Sequence, residues 1–254
     1  MLNTDEIKQY ERAGLVIPNA NLGADYVRKL RAQVESFLDA HPELNPDYIP
    51  SLIERDLSWL EFARHPTVLD CVADLIGEDI ILWGSGLFCK SARGGKATPW
   101  HQDGQYWPIR PLETVTVWIA FDDVNAANGC MRYVPGSHID RTLHPHDTDD
   151  NNAYTLNQKI RESEAAESHG CDVELLQGMF SIHDVYLIHG SNRNDSGHRR
   201  GGLTLRYMPA ASLYDRDLAR RQVRELGVID ISDRRLHLVR GRDRAGNDLD
   251  RADA

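Results

Sequence analysis

Apolar positions follow two periods along this chain. Up to about residue 79 they recur at helical spacing. Thr4 is placed to cap a short helix through Tyr10 and Glu11, which Gly14 ends before a short strand at Leu15, Val16 and Ile17. From Ala24 to Leu38 the residues Tyr26, Val27, Leu30, Val34, Phe37 and Leu38 share one helical face. Pro42, Pro46 and Pro50 mark a loop, and His65-Pro66 opens another helix that stops at Gly77. From Asp79 the texture changes to short apolar or alternating runs between turns. They are 80–83, 87–89, 100–103, 114–121, 131–134, 173–176, 179–182, 185–188 and 203–207. Such runs predict an antiparallel sandwich or barrel. In Thr114–Phe121 the residues Val115, Val117, Ile119 and Phe121 share one face, and Thr114, Thr116, Trp118 and Ala120 the other. The first face suits a core; the second can line a cavity. Asn128-Gly129 reads as a hairpin turn with positive φ. Residues 140–172 form a long polar, acidic insertion, and the tail after Tyr214 carries one helix, 215–226, before an Arg- and Gly-rich end expected to fray.

The expected organisation is one domain over 1–254: a helical part at 1–79, a mainly β core at 80–210 and a tail at 211–254. The length suits one large domain. A net charge of −10 speaks against general nucleic-acid binding. No run of about 18 apolar residues offers a membrane span, and the first residues lack the apolar stretch of a signal peptide. The four cysteines are scattered, so reduced thiols and a cytoplasmic location are expected. The expected partner is a small molecule, neither nucleic acid nor membrane.

Chemistry concentrates at Trp100-His101-Gln102-Asp103-Gly104. Residues i and i+2 of a strand point to one face, so His101 and Asp103 offer an imidazole and a carboxylate to one cavity. His189 follows an apolar run and precedes Gly190-Ser191, a suitable place for a third ligand. His183 competes for that position without the same context. Two histidines and one carboxylate with open positions suit non-haem Fe(II) and dioxygen. Arg200, eleven positions after His189, supplies the guanidinium that a dicarboxylate co-substrate needs. Arg199 is its rival on the opposite face.

Several blocks occur together: Thr98 to Asp103, Asn128 to Arg132, Val134-Pro135-Gly136-Ser137-His138, His189-Gly190-Ser191, and Arg200. On these the chain resembles the phytanoyl-CoA dioxygenase family of Fe(II)- and 2-oxoglutarate-dependent oxygenases, over about residues 80–210. The resemblance implies a double-stranded β-helix, the cupin-like jelly roll, with helices outside. It implies iron on His101, Asp103 and His189, and Arg200 on the distal carboxylate of 2-oxoglutarate. It matches Trp118 to a cavity tryptophan. An ectoine-hydroxylase-like branch carries a co-substrate lysine at the spacing of Lys90, and Ser191 is placed to add a hydroxyl donor.

The activity so implied consumes O2 and 2-oxoglutarate, releases succinate and CO2, and hydroxylates or otherwise oxidises a C–H bond of a small metabolite or natural-product intermediate. A carboxylate at Asp103, in place of the small residue of halogenating relatives, favours hydroxylation over halogenation. Gln105, Tyr106, Trp107 and Arg110 are candidate substrate contacts. His144 and His146 place the acidic insertion as a candidate lid. Two other readings stand beside this one: a cupin-like isomerase or lyase that ignores 2-oxoglutarate, and a non-catalytic small-molecule binding module.

Overall fold

The first helix, Thr4–Ala13, is capped by Asn3 and not by Thr4. The Asn3 side chain accepts from the backbone of Asp5 and Glu6 while Glu6 returns a bond to the Asn3 backbone, which satisfies three otherwise orphaned donors. Gly14 closes it at φ 78°. The computed structural model describes residues 1–148, 154–161, 163–226 and 228–250. Two longer helices follow, Ala24–Ala40 and Pro66–Ile76, with short turns of helix at Leu52–Arg55 and Leu60–Ala63 between them.

The β core is a jelly roll of two antiparallel sheets. The large sheet runs in the order Leu15–Val16, Phe180–Asp184, Val115–Ala120, Arg200–Pro209, Ile80–Lys90, His237–Arg240, with Ile49–Pro50 also on the Ile80–Lys90 strand. The small sheet runs Cys171–Val173, Met131–Tyr133, His189–Ser191, Thr98–His101. The alternation read at 114–121 holds. Val115, Val117, Ile119 and Phe121 join Leu30, Val34, Phe37, Trp59, Val68 and Val72 in one buried cluster, so the helices cover the outer face of the large sheet. Burial of so much branched and aromatic surface is the main force joining helices to sheet. The opposite face turns inward, towards the small sheet.

Several expectations are corrected. The runs at 80–83 and 87–89 are one continuous strand, because Gly84 and Gly86 stay paired with Arg206 and Thr204. Residues 185–188 are no strand: Tyr186 and Leu187 donate to Asp184 and fold the chain into a turn. Gly129 does have φ 77°, but it ends a single 3-10 turn, Ala126–Asn128, and joins strands of different sheets, so it makes no hairpin. The tail is tied down as far as 250: His237–Arg240 pairs with the Ile80–Lys90 strand, and Arg240 holds Asp70 and Glu78. The insertion contains a hairpin, His146–Thr148 with Gln158–Ile160, and a helix, Ser163–His169. Positions 149–153 and 162 of that insertion, and 251–254 of the tail, lie outside the described residues. All four cysteines are free thiols.

Candidate active site

The two imidazoles are placed by sheet register. His101 and His189 are direct cross-strand partners in the small sheet, with ring centroids 4.2 Å apart. Each turns its Nδ1 to the carbonyl two residues before it, Pro99 at 2.8 Å and Leu187 at 3.0 Å. A carbonyl only accepts, so each Nδ1 carries a proton, which leaves Nε2 of each ring as the nitrogen available to a metal. Asp103 is not in the strand as expected. The strand ends at His101, Gln102 remains extended, and Asp103 opens a 3-10 turn over 103–106. The extended Gln102 preserves the two-residue spacing, and Asp103 Oδ1 lies 3.7 Å from His101 Nε2. The donor atoms of His101, Asp103 and His189 all lie within 4.8 Å of one another. Two neutral nitrogens and one carboxylate on one side of an open space are a donor set that fits a divalent iron.

Charge is consistent with that set. Burial alone would raise the pKa of Asp103, but the facing imidazoles of His101 and His183 and the charge of Arg206 hold it well below the usual carboxylate range. Burial, then the neighbouring His101 and His183, press His189 well below an ordinary histidine, so it stays neutral. A metal ligand must be free of its proton.

The remaining oxygen of Asp103 is held from the large sheet. Thr116 donates to Oδ2 at 2.9 Å and His183 Nε2 lies 3.4 Å from it. His183 is therefore no member of the three-donor group; it sits behind the carboxylate. Its contact with Asp103, and that of Thr116, escaped the sequence reading. The small side chain at 116 on a strand face already assigned to a cavity was the available signal.

Arg199 and Arg200 point to opposite faces of their strand, and the geometry separates them. Arg199 faces out and is tied to Asp122 at 2.8 Å and Glu35 at 2.6 Å. Arg200 is buried, faces the cavity, donates from Nε to Gly129 O at 2.9 Å and from Nη2 to Ser191 Oγ at 3.3 Å, and packs 5.1 Å from the Trp118 ring. Its Nη1 is buried without a hydrogen-bond partner among the described residues. Trp118 fits against Gly202, where a Cβ would come within 1.9 Å of the indole.

Lys90 is the cross-strand partner of Arg200, and it donates to Ser191 Oγ at 2.7 Å and to Asn192 O. Burial first, and then the Arg200 charge, push it down to about 6, against an ordinary 10.5. The unfolded chain then binds the extra proton between these values, so stability should rise with pH across that window. Lys90→Met removes this term. The stability of wild type relative to Lys90→Met is expected to grow by up to about 2–3 kcal/mol from pH about 7 to about 9, as read from urea midpoints at the two pH values.

Around these groups lies a cavity of about 670 Å³, between the two sheets and under the 228–234 segment. This is the size of a small-molecule site. Gln105, Tyr106 and Trp107 line it. Arg110 does not; it is exposed and its guanidinium caps the carbonyls of Trp107 and Ile109. The insertion reaches the site through Gln102, whose side chain bonds Thr142 O, Tyr186 O and the His144 backbone, while His146 Nε2 accepts from the Gln102 backbone. No helix among the described residues is long and apolar enough to cross a membrane.

Comparison with known proteins finds relatives, similar folds and a matching family. A probable phytanoyl-CoA dioxygenase of Caenorhabditis elegans is 33% identical over 159 residues, which cover 58% of this chain and 49% of the relative, so the matched part spans about half of that protein. Among solved structures, the non-heme monooxygenase ThoJ in its apo form superposes with a TM-score of 0.72 at 25% identity, covering 94% of this chain and 85% of its own. The epimerase SnoN, solved with Fe3+, alpha-ketoglutarate and nogalamycin RO, shares the fold at a TM-score of 0.68 and 24% identity, over 83% of this chain and 84% of its own. The family profile described as phytanoyl-CoA dioxygenase (PhyH) matches residues 10–202. That match runs from the first helix into the strand that begins at Arg200, and the chain belongs to the phytanoyl-CoA dioxygenase (PhyH) family of Fe(II)- and 2-oxoglutarate-dependent oxygenases.

Proposed function

We propose that the protein hydroxylates, or otherwise oxidises, a C–H bond of a small metabolite or natural-product intermediate, consuming 2-oxoglutarate and O2 and releasing succinate and CO2. His101, Asp103 and His189 hold the iron. Bound there, ferrous iron with 2-oxoglutarate supplies the activation of dioxygen that no side chain can provide. The observation that carries the reading is the unpartnered, buried Arg200 Nη1 beside the three-donor group. A buried guanidinium nitrogen left unpaired costs free energy unless a ligand satisfies it. A dicarboxylate held by the metal at one end and by Arg200 at the other would do so.

Each neighbouring residue then has a task. Arg200 grips the distal carboxylate, Ser191 adds a hydroxyl, and Lys90, uncharged at neutral pH, fixes Ser191 from behind. Trp118 walls the co-substrate on one side. Thr116 and His183 hold Asp103 by one oxygen and leave the other for the metal. Gln105, Tyr106 and Trp107 face the remaining space, where the substrate would sit, and help to exclude water.

Anaerobic addition of Fe(II) and then 2-oxoglutarate is expected to produce a visible charge-transfer band, and air should then yield succinate even without substrate. A protein that binds the metal but gives neither band nor succinate would point instead to a cupin-like enzyme indifferent to 2-oxoglutarate.

A further inference from the structure

The inner face of the large sheet carries a row of cross-strand partners: His183, Thr116, Arg206 and Gly84. The first two touch Asp103. Arg206 acts on that carboxylate through its charge and is not bonded to it. It is 8% exposed, it lines the cavity, and it makes no hydrogen bond or ion pair among the described residues; its Nε is buried without a partner. The Trp107 ring lies 5.4 Å from its guanidinium carbon. Next to it the sheet has no side chain, because position 84 is glycine. Into that gap comes Arg234 from the C-terminal segment. A Cβ on Gly84 would lie 3.2 Å from Arg234 Nη1 and 3.4 Å from Arg206 Cδ. Arg234 Nη1 is 3.6 Å from Glu54 Oε1, an ion pair beyond hydrogen-bond distance, and neither its Nε nor its Nη1 makes a hydrogen bond among the described residues.

The Arg234 guanidinium and the Arg206 side chain thus meet over one glycine in the cavity, and the two guanidiniums lie over Trp83 and Trp107, rings that touch at 4.4 Å. Like charges repel, and desolvation makes this arrangement costly without an anion. The carboxylates that face them do not supply it. Glu54 offsets one positive charge. Asp103 belongs to the three-donor group. Asp230 and Asp233 lie at the exposed rim, where Asp230 accepts from the Ser232 backbone and Asp233 is 3.7 Å from Arg220. A dication, the Asp103 carboxylate, a doubly negative co-substrate and the Arg200 guanidinium sum to zero. One positive charge at Arg206 and Arg234 is left over.

We infer that the substrate carries an oxyanion, a carboxylate or a phosphate, and that Arg206 and Arg234 seat it over Gly84 against Trp107. The fork of a guanidinium matches two oxygens of such a group. This deepens the proposed oxygenase function and rests on it. The rest of the cavity is aromatic there. Trp83 packs 4.4 Å from Trp107, and Tyr48 stacks on Phe88 at 4.5 Å, all four rings lining the space. The ligand class is therefore an anion attached to an apolar body.

The test is calorimetry on the anaerobic protein loaded with Fe(II) and saturating 2-oxoglutarate. The probes are 3-phenylpropionate, its neutral amide 3-phenylpropionamide, and phenyl phosphate. At least one anion is expected to bind about tenfold tighter than the amide, and the stronger of the two names the group. Arg206→Gln is expected to bring that anion to the level of the amide without weakening the amide. If Arg206→Gln does not fold, Arg234→Gln and the wild-type comparison still decide. Anions no tighter than the amide in wild type, including three probes that all fail to register, overturn the inference, as does a preference that survives both substitutions. The charge-transfer band separates the two claims. If it never forms, the oxygenase reading fails. If it forms and persists on adding the probes while acid and amide bind alike, only the inference about the substrate fails.

Discussion

Asp103→Ala is expected to abolish succinate formation and to lower iron affinity by more than about 100-fold, the upper range for disturbing residues that merely support a ligand. The reason lies in how the site is divided. An imidazole ligates a metal without carrying charge, so Asp103 is the only anion among the three, and it alone offsets charge on a dication. Asp103→Asn keeps the shape and the Thr116 hydrogen bond but removes that charge, and it should lose iron nearly as severely. Thr116→Val leaves the carboxylate in place with one bond fewer and should cost about 10–100-fold. The ordering Asp103→Ala, Asp103→Asn, Thr116→Val is checked by iron content after equilibrium dialysis, with circular dichroism to show that each variant is folded. Asp103→Ala protein that retains wild-type iron would end the assignment of the centre.

Much of this arrangement was legible in the chain because it depends on local period. The two faces of 114–121 could be separated by alternation alone, and the faces proved to be core and cavity. Likewise, neighbouring strand residues diverge, so Arg199 and Arg200 had to face opposite ways; which of them faced inward followed from the ion pairs that hold Arg199 to Asp122 and Glu35. What failed was judgement of apolar runs without their partners. Val185 to Ile188 reads as a strand, but Asp184 collects the next backbone donors and folds it into a turn. Ile80 to Lys90 reads as two strands because glycines normally interrupt, yet here they leave room for Thr204, Arg206 and Arg234.

The groups around Gly84 follow the same logic. Glu54 and Arg234 come from opposite ends of the chain, and no spacing rule joins them. Arg206 was different. It stands in a mostly apolar strand, Leu203 to Met208, and an arginine in a buried strand requires an explanation. That signal was present in the sequence without any structure.

Arg200→Ala is expected to raise the 2-oxoglutarate requirement by about 100-fold or more, because a buried bidentate ion pair is lost and the distal carboxylate is left without its counter-charge. Iron binding should persist, since none of the three donors is touched. The removed side chain also releases the Trp118 ring, which packs on Arg200 and over Gly202, so some maximal rate should be lost with the affinity. Arg199→Ala makes the opposite profile. It breaks the bonds to Asp122 and Glu35 that join the outer face of the sheet to the Ala24–Ala40 helix, and it should lower stability by about 1–3 kcal/mol while the 2-oxoglutarate requirement stays put. The pair is read by titrating the charge-transfer band with 2-oxoglutarate and by urea midpoints on the same samples. If Arg199→Ala weakens the co-substrate and Arg200→Ala does not, the inward guanidinium has some other ligand and the orientation argument for 2-oxoglutarate must be abandoned.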